Sequence, residues 1–144
     1  MIWGLKTVAA IDIWTLEHFL SGISLGMMVI TFHSKIFLKQ FNLKKEEINT
    51  GYFDILAVLL LAYIWEVIEH YLELGLAGVR VEHWLQGVEF WMNRLICDPL
   101  VTVAGYYLAR SYPILVSPAR VLSLIWLLVH VFVFPHSMYL HEIF

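Results

Sequence analysis

Cysteine occurs once, at Cys97, so the chain has no internal disulfide and no cysteine-rich zinc or iron–sulfur site. Charge is scarce as well. Only 15% of the residues are Asp, Glu, Lys or Arg, where a soluble domain carries about a quarter. There is no Lys/Arg run and no phosphate-cradling glycine loop, and the net charge is −3, which argues against a nucleic-acid partner. Repeats, low-complexity tracts and a second domain are also lacking, so residues 1–144 read as one domain. The opening "MIWGLKTVAAIDIW" has neither the basic start nor the long apolar stretch of a secretory signal. The first helix is therefore expected to act as an uncleaved anchor.

What is abundant is apolar: 60% of the chain is hydrophobic and the mean hydropathy is +0.75. Such a chain in water would expose much of that surface, so it reads as an integral membrane protein. A span needs roughly 20 mainly apolar residues. The first falls at about Leu16–Leu38, with Asp12 or Thr15 as N-cap, and the second at about Tyr52–Leu72. Residues 82–110 read either as one long helix kinked near Pro99 or as an interfacial helix followed by a short span. A fourth span opens with Ser117 as N-cap and Pro118 as first helical residue and runs to about Phe134, before Pro135. The basic residues orient these spans. Lys35, Lys39, Lys44, Lys45, Arg110 and Arg120 fall on one side, against Lys6, Arg80 and Arg94 on the other. By the positive-inside rule the first set is cytoplasmic and both termini are extracytoplasmic.

That layout gathers polar groups in one outer layer. Glu17 and His18 start the first span, and Glu66, Glu69, His70 and Glu73 end the second. Asn93, Arg94 and Asp98 start the third, while His130 and His136 end the fourth. At roughly 100° per residue, Glu66, Glu69, His70 and Glu73 fall within an arc of about 100°. His18 lines up with Ser21, Gly22, Leu25 and Gly26, the last part of a GxxxG pattern that allows close helix approach. Trp91, Arg94, Asp98, Thr102 and Gly105 share a face of the third span. Ionisable residues within spans usually face the bundle interior and pair.

Three chemistries suit the cluster. A divalent metal would take His18, Glu66, Glu69, His70 and Asp98, since carboxylates and imidazoles from facing helices bind metals in bundles. Metal-free acid–base chemistry would use His18, Glu66 and Asp98. A b-type haem on His18 and His70 is disfavoured, because haem pockets seldom need so many acids nearby. Competing with all three is a polar network that only sets helix register. Glu73, Glu82, His83 and His141 read as interfacial and solvated, and His33 as snorkelling at the cytoplasmic edge. Glu89 reads as lying opposite Asp98, paired with Asn93 or water. Trp84, Trp91, Tyr106 and Tyr107 read as an aromatic belt.

The stretches "EHFLSG", "WEVIEH" and "NRLICDPLVTVAGYYL" resemble the VanZ-like superfamily of small membrane proteins, in its YjdF-type branch. The resemblance covers roughly residues 16–108. It marks His18, Gly22, Trp65, Glu66, Glu69, Asp98 and Gly105, and departs where Asn93 and Cys97-Asp98-Pro99 replace repeated Asp. One branch of the family is linked to glycopeptide resistance, which implies the cell envelope or lipid. The expected fold is all-α: an integral membrane bundle of about four transmembrane helices in the cell membrane, with an interfacial helix around Glu82–Trp91 before the third. The expected function is an ion-binding or membrane-enzyme site at the outer leaflet, in contact with membrane lipid. The alternative is a non-catalytic accessory subunit that packs its GxxxG face and aromatic surfaces on helices of a larger complex.

Overall fold

The computed structural model describes residues 1–44, 50–85 and 87–133, apart from the side chains of 131 and 133. Those residues are helical or irregular. The only β-bridge among the described residues is an isolated pair, Trp3 with Ile11. Helix α1 runs Ile13–Phe32 and continues through a π-helical turn, His33–Phe37, to Leu38–Gln40. Asp12 caps it: its carboxylate accepts from Trp14 N at 2.7 Å and Thr15 N at 3.1 Å, while the Thr15 hydroxyl accepts from Asp12 N. Helix α2 spans Thr50–Glu73. At about 1.5 Å per residue both exceed the ~30 Å of a bilayer core, and both are long and apolar enough to cross a membrane.

The rest of the chain is more broken than the sequence suggests. Gly75 and Gly78 take φ of 73° and 107°, conformations open mainly to glycine, and turn α2 into a short helix α3, Val79–Leu85. Residues 88–90 are not helical, so residues 82–110 form two helices and not one kinked helix. A second π-helical turn, Asn93–Cys97, leads into α4, Asp98–Ser111. Pro99 cannot donate to the Leu95 carbonyl, and the Tyr63 hydroxyl of α2 donates to that oxygen at 2.9 Å.

After a 3₁₀ turn at Pro113–Leu115, α5 covers Val116–Leu128 and ends in a third π-helical turn, Val129–Val133. The helix starts one residue before Ser117, so Ser117 is not its cap; Leu115 holds that place. The segment from Asn93 to Ser111 and the one from Pro113 to Leu128 are long and apolar enough to cross a membrane only when taken together, with a bend of 117° between them. Length and composition thus support two crossings, or three if the bent pair is one. The expected end of a fourth span at Phe134–Pro135, with His136 and His141, lies outside the described residues, as does Lys45.

Helices α1 and α4 run parallel in close contact. A Cβ on Gly22 would collide with the Thr102 backbone. One on Gly26 would lie 2.6 Å from Tyr106 Cα, and one on Gly105 would lie 2.6 Å from the Phe19 carbonyl oxygen. The GxxxG face is therefore occupied inside the chain. Helix α5 returns along α1, closing a core of Ile23, Ala109, Val116 and Ala119. Helix α2 runs opposite to α1 over Val29, Val58 and Tyr106.

Gly105→Ala is expected to lower the melting temperature of the purified protein, because its methyl meets backbone on α1; overpacking of this kind costs about 1–3 kcal/mol. Gly51→Ala serves as the control, since only the movable Arg110 guanidinium stands in its way. Equal melting temperatures for the two variants would show that the α1–α4 contact does not limit stability.

Candidate functional site

Burial and ion pairing collect one polar layer at one end of the seam between α1, α2 and α4, the end where α1 begins. Glu66, Glu69 and Glu73 follow the i, i+3, i+7 spacing of one helix face and are all buried on α2. His18 of α1 lies between two helices: Nδ1 is 3.6 Å from Glu66 Oε1, and Nε2 is 3.3 Å from Asp98 Oδ2. The structure thus brings together His18, Glu66, Glu69 and Asp98. It places His70 elsewhere. That ring is half exposed, 3.0 Å from Arg94 NH1 and 3.9 Å from Glu73, and His70 belongs to none of the metal-capable groups among the described residues. The haem reading thereby loses its second ligand.

Glu73 and Glu89 take the place the sequence denies them. Glu73, expected to be solvated, is 2% exposed. It accepts from Lys6 Nζ at 2.5 Å and from Arg94 NH2, and the Glu89 backbone N–H donates to it at 3.2 Å. Glu89 accepts from Asn93 Nδ2 at 2.6 Å, the pairing the sequence suggests, but it does not lie opposite Asp98. Residues 88–90 leave the helix and the turn that follows is π-helical, so an ideal wheel carried through them gives the wrong direction. Lys6 is the other unforeseen member; its sequence signal is slight, a lone charge among the apolar residues before Asp12. Glu82 and His83 are exposed, as expected.

The layer holds more negative than positive groups. Asp12, Glu66, Glu69, Glu73, Glu89 and Asp98 are buried, against Lys6 and Arg94. Six acids less two bases leave four to be neutralised by protons or by a cation, because an unpaired buried ion costs several kcal/mol. Outside the spans the effect is visible directly. Burial pushes the Asp12 carboxyl above its usual range, against the pull of two backbone N–H groups. Glu89 is pushed up by burial and by the charges of Glu69 and Asp98. At the centre, both carboxylate oxygens of Glu66 and both of Asp98 are buried without a hydrogen-bond partner, as is Glu89 Oε2.

These oxygens are spaced as ligands. One atom each from His18, Glu66 and Glu69, and one each from Glu66, Glu89 and Asp98, lie within 4.8 Å of one another. Two ligands on opposite sides of an ion, each about 2.0–2.4 Å from it, are separated by about that much. Glu66 belongs to both groups.

A second polar group lies at the other end of the bundle. His33, expected to snorkel, is buried, and its Nδ1 is 2.7 Å from Asp54 Oδ1. The Tyr106 hydroxyl donates to Asp54 and accepts from Arg110 at 3.0 Å. Tyr106 is thus core, while Trp91 and Tyr107 are exposed. No protein-family profile, curated protein or solved structure matches the chain.

Arg94→Ala strips the layer of a cation that reaches Glu73, Glu89 and Glu66. Stranding buried charge in this way costs about 3–5 kcal/mol. Thermal unfolding in detergent should show the loss, with Arg94→Lys intermediate because a point charge cannot span three carboxylates. An Arg94→Ala protein as stable as the parent would mean that the layer does not depend on this guanidinium.

Proposed function

We propose that this chain is a multi-pass membrane protein that binds a divalent cation in its outer-half layer, between His18, Glu66 and Asp98, with Glu69 and Glu89 in reach. The observation that carries the reading is the set of four buried oxygens of Glu66 and Asp98, none with a hydrogen bond, on either side of one imidazole. A register-setting network would leave its members satisfied. One imidazole among carboxylates suits an oxygen-preferring ion such as Mn²⁺, or Zn²⁺, better than a soft one. When bound, such an ion polarises an oxygen of a substrate or lowers the pKa of a bound water. In this reading the ion would lie at the level of the outer leaflet; Arg94 and Lys6 hold Glu73 and Glu89 against the layer, and His18 bridges α2 and α4.

The direction of insertion follows from charge. Lys35, Lys39 and Lys44, with Arg110, lie at the end away from the site, which is the cytoplasmic end by the positive-inside rule. In this reading the bent pair α4–α5 supplies the remaining crossings of a four-span bundle, and the VanZ-like resemblance agrees with a place in the cell envelope. The accessory-subunit alternative is weakened on one specific point: the glycine face it would offer to a partner is already packed on α4.

Glu66→Gln tests the site. The amide keeps the shape but removes the charge and one ligand oxygen. Metal measured by mass spectrometry per folded molecule should fall at least tenfold, since even outer partners of a ligand are worth about 10–100-fold in affinity. Unchanged metal content, or none in the parent protein, would end the cation reading. Cysteines placed at Asn42 and Gly78 in a Cys97→Ser background test the orientation. Labelling from outside is expected at 78 and not at 42; the reverse pattern would invert the protein and put the site at the inner leaflet.

A further inference from the structure

A cavity of about 510 Å³ lies between α1 and α2, and His18 and Glu69 are on its wall. It opens toward the membrane, because its α2 wall is made of side chains that are themselves exposed: Leu61, Ile64, Trp65 and Ile68. Leu25 and Leu127 face it from α1 and α5, and Thr102 of α4 reaches it from between them. Trp14, Trp84 and Leu85 line its outer end. From Leu61 to Leu72 the lining covers about 16 Å of helix at 1.5 Å per residue, which is about half of a ~30 Å hydrocarbon core. The cavity thus occupies the depth of one leaflet, with tryptophans at the level where a membrane interface favours them.

Its polar groups are not spread along that depth. Glu17, His18 and Glu69 cluster toward the outer end, and neither Lys nor Arg lines the space. Glu17 accepts from the Ser123 hydroxyl through Oε1, while its Oε2 is buried without a partner. A ligand that fits offers hydrocarbon to the inner part and a cationic hydrogen-bond donor to Glu17 and Glu69. If the layer behind His18 holds its cation, the ligand also has use for an anionic oxygen there.

We propose that this cavity seats one chain and the headgroup of an amine-bearing phospholipid drawn sideways from the outer leaflet. Its chain lies along Leu25, Leu61 and Ile64, its ammonium faces Glu17 and Glu69, and its phosphate faces the cation site. The phosphate contact rests on the cation reading above; the seat itself rests on shape and on the two acids. The volume accommodates one chain with its headgroup and not a whole two-chain lipid, so the second chain stays in the bilayer.

The test is photocrosslinking in vesicles of phosphatidylcholine that contain a little phosphatidylethanolamine with a diazirine in one acyl chain. Crosslinks mapped by mass spectrometry should be enriched at Leu25, Leu61, Ile64 and Ile68 by about fivefold over Met28 and Val67, which are exposed but do not line the cavity. Ser21→Phe fills the space without replacing any ligand of the cation site and should abolish the enrichment. Ala62→Phe does the same from α2 where the first variant fails to fold. Unlabelled phosphatidylethanolamine should compete, and phosphatidylglycerol should not. Uniform crosslinking over all exposed faces, enrichment that survives both filling variants, crosslinks to a second copy of the chain, or equal competition by phosphatidylglycerol would each overturn the proposal. Metal content measured on the same samples separates the two readings. Enriched labelling without metal removes the cation site and leaves the lipid seat, whereas metal with uniform labelling removes the seat alone.

Discussion

The guanidinium of Arg94 faces Glu73, Glu89 and Glu66 from the π-helical turn before α4, and most of the acid-rich layer depends on that reach. In an apolar surrounding each of these carboxylates by itself would be driven out or protonated. With Arg94 between them, and Lys6 folded in from the N-terminal segment against Glu73, they form a knot tying together α2, the 87–90 loop and the residues before α1. Helix packing in a bilayer has little hydrophobic drive, so such polar ties carry weight that apolar contacts carry in water. The two cations do not balance the six acids, and the shortfall sits at Glu66 and Asp98, beside His18.

Close backbone contact sets the geometry of that shortfall. Gly22, Gly26 and Gly105 bring α1 and α4 together until side chains on one helix meet backbone on the other. His18, one turn above Gly22, is thereby held against Asp98, one turn above Thr102. Helix α2 makes no such glycine contact with α1, and the gap between them is the cavity of about 510 Å³. A tight pair and a loose pair around one seam therefore give both features: a narrow polar centre and a wide apolar approach to it.

The bundle is polar at both ends of the seam and apolar between them. Asp54 and Glu66 are three i+4 steps apart on α2, with Val58 and Ala62 buried in between. At the lower end His33, Asp54, Tyr106 and Arg110 form a chain in which the carboxylate has both an imidazole and a hydroxyl partner. At the upper end the carboxylates of Glu66 and Asp98 have only looser ion-pair contacts, to His18 and Arg94, and no hydrogen bond. The lower layer sets one acid against one base, whereas the upper sets six against two, and this imbalance is what the cation reading rests on.

Much of this was legible in the residues alone. Scarce charge and long apolar runs imply membrane-crossing helices, and both long helices lie within about two residues of the expected limits at three of their four ends. The clustering of His18, Glu66 and Glu69 followed from helical periodicity, because α1 and α2 are regular where those residues sit; Asp98 joins them from the start of α4. Glu73, Glu89, Lys6 and Asp54 were not legible as members of buried networks. Glu89 lies beyond a stretch where helical phase is lost, and Lys6 reaches Glu73 from 67 positions away. Periodicity specifies the face of a continuous helix, so the sequence by itself determined which side chains of α1 and α2 share a side. Breaks at glycine, at π-helical turns and at a 117° bend reset that phase. Which acids met which cations was therefore decided only by how the broken segments packed, where each buried charge had to find a partner or remain without one.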